Sequence, residues 1–250
     1  AGDRAAAVDA AYRRVRHYFE LRTNYKKLKR PSWFYVGLSG STDSRKKLFG
    51  SYNVGFAESK AVYNDLYYRV NAGIRYRFSQ RLSAEISNNF QSDNGQIGYA
   101  YEREANGEPI AALRKVFDVT TVLSGIYNFT PRMNMTFRGR HYWSKVTNRK
   151  FFTADEGGNW IDRPFLTGRD QNVNIFNLDV FYVWDFRLGS RVVAGWKNWV
   201  DPLSTNDIKT NPGYTQNLGQ VFRMGHGNEF TIRFIYFLDY QDLRKRKSLL

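Results

Sequence analysis

The chain has 250 residues, and its 38 Lys and Arg against 23 Asp and Glu give a formal charge of +15. This length suits one β-rich domain and is too short for two large ones. Because there is no cysteine, a disulfide framework and a cysteine-based metal site are excluded. No run approaches the roughly 18 consecutive apolar residues of a membrane helix. The aromatic share of 17% favours strands.

The N-terminal residues fit two patterns. Helical spacing would place on one side Val8, Tyr12, Val15 and Phe19. A strand would instead align Val15, His17, Phe19 and Leu21. We assign no structure to residues 1–11 and predict a first strand after about Tyr12.

The clearest strand pattern runs from Leu66 to Phe78. One face carries Leu66, Tyr68, Val70, Ala72, Ile74, Tyr76 and Phe78, and the other carries Tyr67, Arg69, Asn71, Gly73, Arg75 and Arg77. A typical globular strand has about 5–6 residues, whereas a strand that crosses a membrane needs about 9–11. The length of this pattern therefore favours a membrane-spanning strand.

Eight further strands and their connections complete the pattern. The strands are predicted at Trp33–Ser41, Leu48–Ala57, Leu82–Phe90, Phe117–Phe129, Met133–Trp143, Phe176–Phe186, Val192–Val200 and Phe230–Leu238. Short turns are expected at Thr42–Lys46, Ser79–Arg81, Thr130–Arg132 and Arg187–Ser190, and long polar segments at Gln91–Arg114, Thr147–Gln171 and Asp201–Asn228. Short turns at one end and long loops at the other are typical of outer-membrane barrels.

We therefore predict an all-β fold, an antiparallel transmembrane β-barrel with about ten strands over residues 12–240, which form either a whole barrel or part of a larger one, followed by a basic tail at 241–250. A soluble barrel or sandwich with its apolar face inward is the alternative. The charged residues predicted to face the lumen are Arg69, Arg75, Arg77, Glu85, Asp118, Arg138, Arg140, Asp179, Arg233 and Asp239. The residues predicted to face lipid are Tyr68, Val70, Ile74, Tyr76, Phe117, Leu123, Tyr127, Phe137, Leu178, Val180, Tyr182, Trp184, Phe234 and Tyr236.

Four runs resemble the C-terminal barrel of the DUF5916 family: Arg30–Trp33, Ser41–Lys47, Phe181–Ser190 and Phe234–Tyr240. The run Thr42-Asp43-Ser44-Arg45-Lys46-Lys47 is the most specific of them, and the resemblance covers about residues 30–240. It implies a Bacteroidota outer-membrane protein in which a carbohydrate-binding-like domain precedes the barrel. That domain is absent from this sequence, which implies a truncated version or a divergent short form.

Three functions are compatible with this pattern. The first is an anchoring or structural subunit of an outer-membrane assembly, with inward charges cross-linked as Arg–carboxylate pairs. The second is a pore for anions or saccharides, because rings of Arg favour anions. The third is an enzyme that acts at loop carboxylates such as Glu156 and Asp162.

We expect the location to be the bacterial outer membrane, and the partners to be lipid, other outer-membrane proteins or lipoproteins, and saccharides. No nucleic acid is expected, because the basic residues are spread singly along strands. We predict no catalytic residue, metal site or cofactor: the histidines His17, His141 and His226 lack ligand spacing. His141 is interpreted as a residue of the barrel wall.

Overall fold

The computed structural model describes residues 5–13, 16–18, 28–30, 32–60, 64–200 and 213–238. Its elements in chain order are β1 (Ala5–Arg13), β2 (Arg16–Tyr18), β3 (Leu28–Arg30), β4 (Trp33–Ser41), β5 (Leu48–Lys60), β6 (Asn64–Arg77), β7 (Leu82–Arg103), β8 (Pro109–Thr130), β9 (Met133–Ala154), β10 (Trp160–Arg163), β11 (Gln171–Arg187), β12 (Ser190–Val200), α1 (Tyr214–Val221) and β13 (His226–Ile235). No helix among these is long and apolar enough to cross a membrane.

One antiparallel sheet dominates the described part of the chain. Its strands lie in the order β1-β4-β5-β6-β7-β8-β9-β11-β12-β13, and β10 pairs with the far end of β9. The pair β2 and β3 stands apart from it. Each of the short turns between β4 and β5, β6 and β7, β8 and β9, and β11 and β12 lies at the same end of this sheet, because neighbouring strands alternate in direction.

Strict alternation of side chains gives the sheet two chemically different faces. Directly opposed residues share a face, as in the row in which Ile74 faces Ile86 and Ile86 faces Leu123. We call the side of this row the apolar face. It comprises the even-numbered residues of β4, β5, β6, β11, β12 and β13, those of β7 up to Ser92, and the odd-numbered residues of Phe117–Phe129 and Met133–Lys145. The opposite side is the polar face.

Over β4 to β7 and at Leu123 of β8, the apolar face is the more exposed of the two, whereas Val119 and Trp143 on the same face are buried. Ile74 is 54% exposed and Leu123 is 48% exposed, whereas Arg75 and Glu85 on the polar face are partly buried. In a soluble sandwich or barrel the large apolar side chains of a sheet are packed in a core and its polar side chains face water. On these strands the large apolar side chains are exposed instead, and polar side chains such as Glu85 are partly buried.

A buried core occurs beyond this two-faced region, where β7, β8 and β9 continue for 22 residues each. One cluster contains Ile97, Leu113 and Phe152, and Trp160 of β10 stacks on Phe152 with ring centroids 4.3 Å apart. A second cluster contains Ala100, Ile110, Ala112 and Phe151. The three strands thus form an extension that has apolar packing of its own.

This extension corrects two of the predicted loops. The predicted loop Gln91–Arg114 is wrong, because β7 and β8 run through it and are joined by a tight turn in which the Glu104 N–H donates to Glu108 O (2.7 Å). The predicted loop Thr147–Gln171 is wrong in its first part, since β9 reaches Ala154, and it contains β10. Both segments contain buried apolar residues that pack together, which counting polar residues did not reveal.

Two further predictions differ from the structure. The segment Asp201–Asn228 contains α1 and the first residues of β13, and residues 201–212 lie outside the described part. The first strand of the main sheet is Ala5–Arg13, earlier than predicted, and the strand after Tyr12 is the short β2, Arg16–Tyr18, which pairs with β3 outside that sheet. The predicted basic tail at 241–250 also lies outside the described residues.

Within the described residues the sheet has two free edges, at β1 and β13, which do not pair with each other. The all-β antiparallel fold is therefore confirmed, with ten strands along the main path. The closed barrel stays a prediction.

Candidate functional site: the polar face of the sheet

The structure separates the predicted charged and apolar residues by face. The charged residues on the polar face are Arg69, Arg75, Arg77, Glu85, Asp118, Arg138, Arg140, Asp179 and Arg233, while Asp239 lies outside the described residues. On the apolar face lie Tyr68, Val70, Ile74, Tyr76, Phe117, Leu123, Tyr127, Phe137, Leu178, Val180, Tyr182, Trp184 and Phe234; Tyr236 follows β13 and stacks near Phe186. Contact with a lumen or with lipid stays a prediction for both sets.

Charged side chains on the polar face form a row across the strands. Each member stands directly opposite the next: Arg75, Glu85, Ser124, Arg138, Asp179, Lys197 and Glu229. Opposite charges in such cross-strand positions stabilise a sheet. The three cations and three anions of the row balance each other, so at this level the polar face is close to neutral despite the charge of the whole chain.

A cavity of about 500 Å³ lies over this row. Its lining contains the charged groups of Arg75, Glu85, Arg138 and Asp179, the hydroxyl groups of Ser124 and Thr136, and the ring of Phe181. The Phe181 ring lies against Gly195 of β12, where an added Cβ would be only 2.8 Å from Phe181 Cε1. The structure thus brings together four of the charged residues singled out from the sequence.

Two of the arginines have a clear structural partner. Arg75 Nη2 donates to Ser44 O (3.0 Å) and Arg77 Nη1 donates to Arg45 O (3.0 Å). Both acceptors belong to the turn between β4 and β5, which is the run with the most specific family resemblance. Within this turn the Asp43 carboxylate accepts from Arg45 Nε (3.0 Å) and Arg45 N (2.9 Å), and these bonds hold the pKa of Asp43 below its ordinary value. The run Thr42–Lys47 is therefore a turn whose conformation is held by hydrogen bonds.

A second cavity, of about 520 Å³, opens towards the other end of the polar face. Three aromatic residues line it, Trp33, Tyr35 and Tyr67, together with Arg69 and Asp93. Of these, the sequence interpretation singled out only Arg69, because an aromatic residue on a polar face does not stand out from the alternation. The glycines Gly37 and Gly55, over which the Tyr35 ring lies, are the signal that was available.

The helix α1 covers a polar patch on the apolar face. His141 Nε2 is 2.7 Å from Asn174 Oδ1, and Asn174 Nδ2 donates to the backbone oxygen of Asn217 in α1 (2.8 Å). Tyr214 Oη also lies 2.7 Å from Thr121 Oγ1. His141, Asn174 and Asn217 are buried. Sequence reasoning missed this helix, and the network gives His141 a structural partner.

The carboxylates of the connection after β9 are used within the chain. Asp155 accepts from the N–H of Asn159 (2.7 Å), and Asp162 forms an ion pair with Lys150 (2.6 Å). Glu156 is exposed. Among the described residues no group of three or more His, Asp or Glu is placed to hold a metal ion.

Aromatic residues on the apolar face form two belts. Nearer the long extension, Phe117 contacts Phe90 and Trp143, with ring centroids 4.9 and 5.2 Å apart. Near the short turns, Tyr127 packs edge-on against Phe129 at 4.7 Å, and Phe129 lies 6.2 Å from Tyr182. Phe117 and Tyr127 are ten positions apart on β8, which is about 33 Å along a strand.

The chain matches the family model described as "Domain of unknown function (DUF5916)" over residues 4–247. No curated protein and no solved structure matches the chain.

Proposed function

We propose that this chain, which belongs to the DUF5916 family, forms the wall of a bacterial outer-membrane β-barrel. The part of its apolar face that α1 leaves uncovered lies against lipid, and its polar face is towards an aqueous interior. The observation that carries the proposal is the exposure of large apolar side chains on one face of β4 to β7 and at Leu123 of β8. In water, a continuous apolar surface that contains Ile74, Ile86 and Leu123 would be unfavourable and would promote aggregation. In a bilayer the same surface is matched by hydrocarbon.

The spacing of the two aromatic belts supports this orientation. A separation of about 33 Å along β8, at the tilt of about 40° usual in such barrels, corresponds to about 25 Å along the membrane normal. The apolar band of outer-membrane barrels is about 25 Å tall and has aromatic girdles on both sides. The belts therefore have the position and the composition expected for the two membrane interfaces.

The free edges of the sheet set a condition for this function. Backbone N–H and C=O groups at the outer sides of β1 and β13 would be unsatisfied in lipid, and each would cost several kcal/mol. The membrane form must therefore pair these edges, either with each other or through further strands. Because ten strands alternate along the path, β1 and β13 run in opposite directions, and their direct pairing would keep the barrel antiparallel.

For the role of this wall we propose an anchoring or structural subunit of an outer-membrane assembly. The row of alternating charges, and the arginines that brace the turn at Ser44 and Arg45, suit a rigid support. The strands β7, β8 and β9 continue for about ten residues beyond the aromatic belt at Phe117 and present a packed extension outside the membrane. Such an extension offers a surface to partner proteins.

A pore is the second candidate, and the cavity over Arg138 and Asp179 favours it, because it leaves charged groups facing open space. Recordings in planar bilayers separate the two roles. An anchoring subunit should give no stable conductance steps, whereas reproducible steps would overturn that role and support permeation.

The orientation itself can be tested because the chain contains no native cysteine. We suggest single nitroxide labels at Leu123→Cys and Ser124→Cys in the full chain reconstituted into liposomes. The label at 123 should collide with oxygen, which concentrates in hydrocarbon, and the label at 124 with a water-soluble nickel complex. Equal access of the nickel complex to both labels would overturn the proposal.

A further inference from the structure

The second cavity of the polar face has two aromatic rings at right angles. Trp33 and Tyr35 stand on β4 two positions apart, with ring centroids 6.4 Å apart and an interplanar angle of 84°. Tyr67, from β6, lines the same cavity. One ring forms a floor and the next a wall, so that a ligand in the corner meets two apolar surfaces at once.

The floor is built by glycines. An added Cβ at Gly37 would lie 2.7 Å from Tyr35 Oη, and one at Gly55, on the neighbouring strand, would lie 2.5 Å from the same atom. The Tyr35 ring therefore lies flat on the backbone of β4 and β5, and only glycine at both positions leaves room for it. This arrangement holds the ring in one orientation, with its other surface towards the cavity.

Hydrogen-bond donors and acceptors surround these rings. Arg69 Nη2 donates to Asn53 Oδ1 (3.0 Å), while Arg69 Nε is buried and has no hydrogen-bond partner among the described residues. Asp93 contributes a carboxylate to the lining, and the Tyr67 hydroxyl donates to Gln91 Oε1 (3.4 Å). Glu58 also lines the cavity, but it stands on the apolar face, so the charged residues of the lining that stand on the polar face are Arg69 and Asp93.

The same combination recurs in the first cavity. There the flat ring is Phe181, seated on Gly195, and the surrounding groups are two arginines, two carboxylates, Ser124 and Thr136. Both cavities therefore pair a fixed aromatic surface with balanced polar groups on the same face of the sheet.

We infer that the cavity at Trp33, Tyr35 and Tyr67 binds a neutral oligosaccharide. The C–H groups on one side of a pyranose are attracted to the electron-rich face of an aromatic ring, which is the kind of surface that Tyr35 and Trp33 present. The hydroxyl groups at the edge of the sugar both donate and accept, so they can bond to a donor such as Arg69 and to an acceptor such as the Asp93 carboxylate. A volume of about 520 Å³ is in the range of small-molecule sites.

The balance of charge decides between ligand classes. On the polar face of the cavity, an anion would be attracted by Arg69 and repelled by Asp93, and a cation would be attracted by Asp93 and repelled by Arg69. A neutral ligand avoids both penalties. The inference rests on the proposed orientation, in which the polar face is open to water, and that orientation is tested separately by the nitroxide labels at 123 and 124.

The test uses the full chain in detergent micelles and a panel of neutral oligosaccharides: α- and β-linked glucans, mannan, xylan and chitin fragments of six residues each. Polygalacturonate and chitosan fragments supply the anionic and cationic arms. Binding is measured by calorimetry for the native chain and for Tyr35→Leu. The matched control is Tyr52→Leu, because Tyr52 lies over Gly40 in the same way but on the apolar face.

We expect at least one neutral oligosaccharide to bind, with affinity at least tenfold lower in Tyr35→Leu and unchanged in Tyr52→Leu. Binding that falls equally in both variants would show that the tyrosines act only through the fold and would overturn the inference. Selective binding of a charged fragment, or no binding by any member of the panel, would overturn it as well. Neither result would change the outcome of the nitroxide experiment.

Discussion

Ile74 on β6 stands directly opposite Ile86 on β7, and the two side chains are 54% and 49% exposed. An opposed pair of isoleucines is usually a contact in the core of a soluble β-protein, since such residues are among those most often buried. Here the pair lies in the middle of an exposed apolar face. The free energy of unfolding therefore depends on whether water or hydrocarbon covers this face.

Arginine at neighbouring positions of β8 should distinguish lipid from water. Leu123→Arg places a charge on the apolar face, and Ser124→Arg places it on the polar face at the same height. If lipid covers the apolar face, Leu123→Arg should lower the free energy of unfolding by about 2–4 kcal/mol, the cost of Arg near the midplane of a bilayer. The measurement is urea unfolding of each variant in liposomes, followed by tryptophan fluorescence.

Ser124→Arg serves as the control for this pair and should change the free energy of unfolding much less than its neighbour. Equal small effects of both substitutions, about 0.5 kcal/mol or below as is usual on a water-exposed surface, would contradict the lipid-facing assignment.

Period-two alternation predicted the strands of the two-faced region and the face of each residue in them, since alternation reports directly on which side of a sheet a side chain lies. It failed beyond Phe90, where β7 and β8 are buried on both sides around Ile97 and Ile110. A strand that is covered on both faces loses the alternation by which it is recognised. The helix α1 was not predicted from the sequence, because its eight residues are mostly polar. It is held in place by side-chain hydrogen bonds from Asn172 and Asn174.

The two cavities show a similar limit. The charges that line the first cavity were visible as residues opposite an apolar face, but their alternation in sign across the sheet depends on the register, which joins Arg138 to Asp179 across 41 positions of the chain. The aromatic floor of the second cavity depends on Gly55 of the adjacent strand. Both relationships join residues that are distant in sequence, so neither can be predicted from a local sequence pattern.

The turn between β11 and β12 should not tolerate a side chain at Gly189. Its φ is +74°, and an added Cβ would lie 2.9 Å from Phe237 Cβ. We expect Gly189→Ala to cost about 1 kcal/mol or more in free energy of unfolding. Gly219→Ala is the control: it lies in α1 with open space around it and should be neutral or stabilising. A Gly189→Ala protein as stable as the native one would contradict the described turn.

The Asp43 turn should make a pH-dependent contribution. Because bonds to Arg45 hold the pKa of Asp43 below its unfolded value, the stabilisation is present above that unfolded value and is lost as the pH falls through the lower, folded pKa. Asp43→Asn should therefore be less stable than the native chain at pH 7, and the difference should shrink under acid conditions. Thermal unfolding at pH 7 and pH 3 measures it; a difference independent of pH would argue against this role.

The helix α1 should detach when its buried polar anchor is removed. Asn174→Ala deletes the bonds to His141 and to the Asn217 backbone oxygen, and leaves both partners buried. A loss of about 1–3 kcal/mol is expected for such orphaned groups. Hydrogen exchange of the α1 amides should accelerate, while Thr215→Ala, at an exposed position of the same helix, should leave exchange unchanged. Unaltered protection in Asn174→Ala would exclude this anchoring.

The most direct measurement is a cysteine scan along β8 from Phe117 to Phe129, with an environment-sensitive fluorophore at one position at a time in liposomes. If hydrocarbon covers the apolar face, emission should alternate with period two, blue-shifted at odd positions such as 123 and 127 and red-shifted at even ones. The shift should be deepest midway between the aromatic belts. Emission that is uniformly that of water, or an alternation of opposite phase, would contradict the account.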